Sequence, residues 1–183
     1  MPEELLVRHG SPTLAGLKTG NLFACAFADR RELGGELRRI NRRLSAKGVR
    51  LLPLRCREGR VLLYLYRPDR LSRDLARDTA RQLLAERGYP VEAPSRCLTW
   101  LMRRLAQRDE FPHEIGLFLG YPPEDVRGFI ECGAQDCKCA GCWKVYGDAE
   151  AARRTFARFR KCTEVYCSRY AAGTPLERLT VAV

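Results

Sequence analysis

Cysteines are crowded in the second half of the sequence, at spacings that suit a metal site. Six of the nine cysteines fall within residues 132–167, as C-x-C, C-x2-C and C-x4-C pairs. Four thiolates from such a set bind Zn²⁺ in a tetrahedral site or hold an iron–sulfur cluster. The predicted metal ligands are Cys137, Cys139, Cys142, Cys162 and Cys167.

Two other interpretations of these thiols remain open. They can be redox-active, including a Cys139–Cys142 disulfide, or they can be ordinary free cysteines. A secreted protein would favour a disulfide framework, but the N-terminal residues lack a basic segment followed by a long apolar one. The sequence also has no run of about 18 apolar residues. We therefore expect a cytoplasmic protein that does not cross a membrane.

The two histidines, His9 and His113, lie close to helix-start signals. Ser11 followed by Pro12 predicts an N-cap and the first position of a short helix that ends near residues 16–20. The free N–H groups of such a helix can hold an anion, with Lys18 nearby. The alternative is a plain capped turn without a ligand.

The second histidine has a glutamate beside it. Residues 113–119 and 123–132 are predicted to form two short helices, each started by proline. His113 and Glu114 lie in the first turn of the first helix, and their types suit acid–base catalysis. The spacing is not the H-E-x-x-H of zinc proteases. A structural histidine with a satisfied hydrogen bond is the alternative.

Apolar periodicity predicts an α+β fold. The first half has strand, helix, strand, strand and helix patterns at residues 21–28, 30–47, 49–56, 61–66 and 69–87. Leu33, Leu37, Ile40 and Leu44 form one apolar stripe of the first helix. A hairpin turn joins the second and third strands. This βαββα start predicts a small antiparallel or mixed sheet backed by helices.

The second half is predicted to be mainly helical. Helices are expected at residues 95–107 and 148–161, besides the two short ones, and residues 176–183 are expected to add a closing strand. A chain of 183 residues is predicted to be a single domain, with approximate lobes at 1–90 and 91–183.

The net charge of +11 allows two interpretations. Of 33 basic residues, 28 are arginine, spread along several predicted helices. Clustered cations bind polyanions such as nucleic acid, whereas dispersed cations form a solvated basic surface. No nucleic-acid-binding motif is recognisable.

The sequence contains four long motifs: HGSPTLAGLK (9–18), LLYLYRP (62–68), FPHEIGLFLGYPPEDVRGFI (111–130) and GCWKVYGDAEAA (141–152). Together they resemble a bacterial family of unknown function found mainly in anaerobic Firmicutes. The resemblance covers nearly the whole chain and implies a cytoplasmic protein of an anaerobe, with no established activity. The chain departs from that family at Gly10, where cysteine is frequent. The resemblance assigns eleven residues to family signatures: His9, Ser11, Pro12, Thr13, Lys18, His113, Glu114, Tyr121, Trp143, Lys144 and Tyr146.

Three functional hypotheses follow. The leading one is a metal- or cofactor-binding protein with a redox or metal-handling role, holding Zn or an iron–sulfur cluster. The second is a nucleic-acid-binding or regulatory module. The third is an enzyme in which His113 and Glu114 are the acid–base pair and Lys18 or Lys144 holds an anionic substrate. If the two signature segments at residues 9–18 and 111–130 meet in the fold, His9 and His113 form one polar corner.

The predicted binding residues are His9, Ser11, Thr13, Lys18, Tyr121, Trp143, Lys144 and Tyr146.

Overall fold

The computed structural model describes residues 3–107 and 111–182. The chain forms two compact units. The first comprises Met1–Asp69 and Phe159–Val183, and the second comprises Arg70–Arg158. The C-terminal residues therefore belong with the N-terminal sheet.

The first unit is built on a three-stranded antiparallel sheet. In chain order it contains α1 (Glu3–Leu14), β1 (Gly20–Ala26), α2 (Arg30–Leu44), a 3-10 turn, β2 (Arg50–Arg57) and β3 (Arg60–Tyr66). The strand order is β1-β3-β2, and β3 is antiparallel to both neighbours. Strands β1 and β2 are thus parallel, with α2 as their connection. The α+β class and the antiparallel sheet are confirmed.

One face of this sheet forms the core of the first unit. Phe23, Leu63 and Leu51 lie on adjacent strands and are at most 5% exposed. The apolar stripe of α2 and the buried residues Leu6 and Leu14 of α1 belong to the same cluster. Alternation along each strand and a 3.6-residue period along α2 make this burial possible.

The N-cap predicted at Ser11 is wrong. Helix α1 already begins at Glu3 and passes through Ser11 and Pro12 to Leu14. Leu6 and Val7 lie on its buried side, and their packing extends the helix beyond what the local signal indicated. The end near Lys18 is therefore the carbonyl end, which disfavours anions. The predicted anion site at a helix N-terminus does not form there.

Arg67 satisfies the carbonyl end of α1. Its guanidinium is buried and donates to the carbonyls of Thr13, Leu14, Lys47 and Val181, at 2.7, 2.7, 3.2 and 2.7 Å. A cation at a helix C-terminus complements the helix dipole. One side chain thus connects α1, the 3-10 turn after α2 and the C-terminal segment.

The closing strand predicted for the C-terminus is also wrong. Residues Leu176–Leu179 form a short helix, α9, and Val183 lies outside the described residues. Leu176 and Leu179 are three residues apart and both are buried, which a helix permits and a strand does not. The helix begins directly after Pro175, and the Thr180 hydroxyl donates to the Leu176 carbonyl.

The second unit is mainly helical, as predicted. It contains α4 (Asp78–Glu86), α5 (Pro94–Gln107), α6 (Ile115–Phe118) and α7 (Pro123–Cys132). The helix predicted at residues 69–87 is two helices, because α3 (Pro68–Leu75) ends before α4 begins. A small hairpin of β4 (Cys139–Ala140) and β5 (Lys144–Val145) follows α7 and leads into α8 (Ala149–Ala171). Among the helices of residues 3–107 and 111–182, none is long and apolar enough to cross a membrane.

Candidate functional site

Asp125, in the first turn of α7, attaches the β4–β5 hairpin to that helix. Its carboxylate is 3% exposed. One oxygen accepts hydrogen bonds from the backbone N–H groups of Tyr146 and Gly147, both at 2.8 Å, and the other accepts from the indole N–H of Trp143 at 2.7 Å. Acids are favoured at this position by the helix dipole. Here the acid also determines where Trp143 lies.

A glycine allows the hairpin to approach α7 closely. A Cβ atom at Gly128 would lie 2.3 Å from the ring of Tyr146, so any larger residue would displace that ring. The Tyr146 hydroxyl donates to the carbonyl of Gly133, just after α7. Tyr146 therefore spans the end of α7, and its position depends on Gly128.

Trp143 is held between two other aromatic rings. The Tyr121 ring stacks on it with centroids 4.7 Å apart, and the Phe156 ring meets it edge-on at 4.5 Å. The Tyr121 hydroxyl donates to the carbonyl of Cys142 at 3.1 Å. Burial raises the pKa of Tyr121 to about 12, so the phenol stays neutral at pH 7. Trp143, Tyr121 and Phe156 thus form a packed group of rings, the aromatic wall.

This wall forms one side of a pocket of about 390 Å³ in the second unit. That volume lies within the range of small-molecule sites. Most of the lining is apolar and four of its residues are aromatic. The lining residues are Phe111, His113, Ile115, Gly116, Tyr121, Asp125, Val126, Phe129, Trp143 and Lys144.

His113 and Lys144 are the two basic residues among those that line this pocket. His113 is exposed, and its ring meets the Phe129 ring edge-on with centroids 4.9 Å apart. Lys144 is half-buried and donates one hydrogen bond to the carbonyl of Ala134 at 3.3 Å. An ammonium group has three N–H donors, so this bond leaves donor capacity for a ligand.

Glu114 has a different environment from its neighbour His113. It is 2% exposed, accepts a hydrogen bond from the Tyr89 hydroxyl at 2.8 Å and forms a 3.2 Å ion pair with Arg104. Burial, followed by the Glu114 charge, raises the pKa of Tyr89. Glu114 does not line the pocket. The acid–base pair stays a prediction, and the contacts of Glu114 are those of a buried structural carboxylate.

The predicted metal ligands divide between the two units. Cys137 and Cys139 are half-buried and Cys142 is exposed, all on or beside the hairpin of the second unit. Cys162 and Cys167 lie on the part of α8 that belongs to the first unit.

The α8 pair does not share a face of its helix. A five-residue separation puts Cys162 and Cys167 about 140° apart around the axis. Cys167 packs against the core of the first unit, and burial raises the pKa of Cys162 to about 11. In the described part of the chain, no three His, Cys, Asp or Glu side chains are grouped to hold a metal ion. The metal site stays a prediction.

His9 and Lys18, from the N-terminal signature, pack against aromatic rings in the first unit. His9 is exposed and stacks on Phe23 with centroids 5.6 Å apart. Desolvation, and then the charge of Arg8, lower the pKa of His9. Lys18 is 6% exposed, and its ammonium lies 6.0 Å from the centroid of the Phe159 ring.

The two hydroxyl residues of the same signature are buried in α1. The Ser11 hydroxyl donates to the Val7 carbonyl within the helix, and the Thr13 hydroxyl donates to Asn21 of β1 at 2.8 Å. The Ser11 hydrogen bond lies within α1, and the Thr13 hydrogen bond connects α1 to the sheet. His9 and His113 belong to different units, and the single polar corner stays a prediction.

Sequence reasoning missed Asp125 and Phe129 as site residues. By local sequence alone, Asp125 is only a favourable charge at a helix start. Its spacing of four residues from Phe129 puts both on one face of α7, and this signal was available in the sequence. The donors that surround Asp125 come from residues 18 to 22 positions later, which no local pattern indicates.

Comparison with known proteins returns a family without an assigned activity. No curated protein and no solved structure matches the chain. A family model described as protein of unknown function, DUF3793, matches residues 6–180, which is nearly the full length. The resemblance to an uncharacterised family is thereby confirmed, and the chain belongs to the DUF3793 family.

Proposed function

We propose that the protein binds a small planar organic anion, a cofactor or metabolite, in the aromatic pocket of the second unit. The observation that carries this proposal is the combination of four aromatic side chains with one histidine and one lysine around about 390 Å³. This is the cofactor-binding hypothesis in a narrower form. It assigns no reaction.

The shape of the ligand follows from the aromatic wall. The rings of Tyr121 and Trp143 are nearly parallel, with 27° between their planes, and Phe129 is another lining residue of the pocket. An aromatic lining of this kind favours aromatic ligands, because edge and face contacts between rings add to the burial of apolar area. The volume suits a ligand of one or two fused rings.

The charge of the ligand follows from Lys144 and His113. Lys144 supplies a cation with donor capacity, and His113 can donate a hydrogen bond from its ring. Asp125 also lines the pocket, but both of its oxygens already accept hydrogen bonds from the hairpin. We therefore assign anion binding to Lys144 and His113. The role of Asp125 is to hold Trp143 in place.

Fluorescence titration with 8-anilinonaphthalene-1-sulfonate, an aromatic anion built on a flat naphthalene ring, tests this proposal. Trp100 lies outside the pocket and is 37% exposed, so a Trp100→Phe background leaves Trp143 as the single tryptophan reporter. We expect saturable binding with quenching of Trp143. Lys144→Met should raise Kd about tenfold, equivalent to the loss of about 1.4 kcal/mol.

The matched control is Lys161→Met, which removes the same charge from an exposed position on α8. We expect Lys161→Met to leave Kd unchanged. Absence of saturable binding, or an equal effect of the two lysine variants, would contradict the proposal. If the dye binds, its displacement by aromatic carboxylates and aromatic phosphates will rank the anionic groups that the pocket accepts.

Cys142 is connected to this pocket through its backbone, and the lining residues include no cysteine of the described chain. Cys142 precedes Trp143, and its carbonyl accepts the Tyr121 hydroxyl. The metal hypothesis is tested separately, by elemental analysis of protein purified without oxygen. Bound Zn or Fe in stoichiometric amount would support it, and the absence of both would refute it.

A further inference from the structure

The positive charge of the protein is concentrated in one of its two units. The first unit has 18 lysines and arginines against nine acidic residues, a net charge of +9. The second has 15 against 13, a net charge of +2. A diffuse basic composition would divide the charge more evenly. The excess therefore has a location that the sequence composition did not reveal.

Helix α2 carries much of this charge on one face. Its apolar stripe, which includes Leu37 and Ile40, is buried against the sheet. Arg31, Arg38 and Arg42 are spaced at i, i+7 and i+11, which puts them within about 40° of one another on the opposite side. All three are exposed.

The arginines on the outward face differ from Arg43 in their partners. Arg43 lies at the edge of the core and forms ion pairs with Glu3 and Glu177. Among the residues that the structure describes, Arg38 and Arg42 form no ion pair with a carboxylate. Their charge is therefore available to a partner.

Two glycines interrupt the same face. Gly34 and Gly35 lie between Arg31 and Arg38, in the interior of α2. A Cβ atom at Gly35 would meet no atom within 4 Å, so packing inside the protein does not require glycine there. Glycine in a helix interior costs about 1 kcal/mol relative to alanine. Because glycine has no side chain, it leaves a shallow site on the helix surface where another molecule can approach the backbone.

We infer that this face of α2 binds the phosphate backbone of nucleic acid, with Gly35 at the point of closest approach. Arginine forms paired hydrogen bonds to phosphate oxygens, and Arg31 to Arg42 span about 16 Å along the helix. Several successive phosphates lie within that length of a nucleic acid. The face has no large apolar side chain to enter a lipid bilayer, so an anionic membrane is a poorer fit.

The test is a salt titration of binding to labelled 24-base-pair duplex DNA and 24-nucleotide single-stranded RNA. The first variant is Arg31→Gln/Arg38→Gln/Arg42→Gln. If each arginine contacts one phosphate, this triple should lower the magnitude of the slope of log K against log salt by about 2.7 on duplex DNA. We also expect Kd at low salt to rise at least about tenfold.

The matched control triple is Arg8→Gln/Arg160→Gln/Arg169→Gln, which removes the same charge from exposed positions of the same unit. We expect it to change the slope by less than about 1. An equal effect of the two triples would mean diffuse attraction and would overturn the inference. Absence of binding to both nucleic acids at 50 mM salt, or binding only to vesicles of anionic lipid, would also overturn it.

Gly35 gives a second test that does not alter charge. Gly35→Ala should raise the thermal stability of the protein, because alanine is the better helix residue and the site is open. Gly35→Leu should also fold, but its side chain should raise Kd for nucleic acid severalfold above that of Gly35→Ala. Equal affinities of the two variants would refute close approach at this point.

Discussion

Replacement of Asp125 by asparagine tests the central claim about the pocket. The carboxylate accepts three hydrogen bonds at 2.7–2.8 Å and is 97% buried by the protein around it. Asparagine has the same shape, but one oxygen becomes an NH₂ group that only donates. If the amide oxygen keeps the Tyr146 and Gly147 N–H groups, the NH₂ group faces the indole N–H of Trp143.

The expected cost follows from these contacts. A hydrogen bond to a charged acceptor contributes about 1.5–3 kcal/mol, and leaving a buried donor without a partner costs about 1–3 kcal/mol. Asp125→Asn loses one such bond and places two donors against each other. We expect the free energy of unfolding to fall by about 3 kcal/mol. Asp125→Ala, which removes all three bonds, should lower it further.

Urea denaturation followed by circular dichroism measures this change. The matched control is Glu124→Gln, because Glu124 is exposed in the same turn of α7 and carries the same charge near the helix dipole. Its loss should cost about 0.3–1 kcal/mol. The difference between the two variants isolates the hydrogen bonds from the dipole.

A double-mutant cycle with Trp143→Phe identifies the partner. Phenylalanine keeps a ring against Tyr121 and Phe156 but removes the indole N–H. In the Asp125→Asn background this should relieve the opposed donors, with a coupling energy of about 2 kcal/mol. A loss below about 0.5 kcal/mol for Asp125→Asn, or no coupling to Trp143, would refute the assignment of Asp125 as the residue that holds the wall.

Three further predictions concern the rest of the chain. The hydrogen bond from Arg43 lowers the pKa of Glu177 from 4.5 to about 2. The stabilisation from this ion pair is therefore present above pH 4.5 and is lost as pH falls through 2. After allowance for solvent screening, we expect the free energy of unfolding to fall by about 1 kcal/mol between pH 6 and pH 2.5, measured by urea denaturation. This decrease should be absent in Arg43→Met. Arg67→Lys should lower the free energy of unfolding by about 3 kcal/mol, because lysine cannot serve four carbonyls, and an unchanged melting temperature would contradict this. Iodoacetamide at pH 7.5 should modify exposed Cys142 well before Cys162, whose pKa burial raises to about 11, and mass spectrometry showing the reverse order would argue against these environments.

The parts of the fold that were predicted correctly are those with a repeated local signal. The apolar residues of α2 recur at the helical period from Leu33 to Leu44, and they are the residues that the core buries. The turn between β2 and β3 has Glu58 and Gly59 with positive φ angles of 50° and 70°, which produce the twist of a tight hairpin. Period and turn chemistry act within a few residues, so the sequence displays them directly.

The incorrect predictions lie where a tertiary contact overrides a local preference. Ser11 and Pro12 form a common helix-start pair, yet Leu6 and Val7 pack into the core and extend α1 through them. The β-branched residues after Thr180 favour a strand, yet burial of Leu176 and Leu179 selects a helix before them. In both cases burial of two apolar side chains, at about 1.5–3 kcal/mol each, exceeds the preference of one or two terminal residues.

The sequence by itself determined the α+β class, the three strands with α2 between the first two, the basic character and the family to which the chain belongs. Each of these properties depends on local periodicity, composition or long motifs, which are visible in the sequence itself. Only the tertiary structure separated His113 from Glu114, since one lines the pocket and the other lies in a buried ion pair. It also brought Trp143 to Asp125 across 18 residues of chain. Such contacts depend on which buried donors and acceptors find partners, and this is decided by packing across the whole unit rather than by neighbours in sequence.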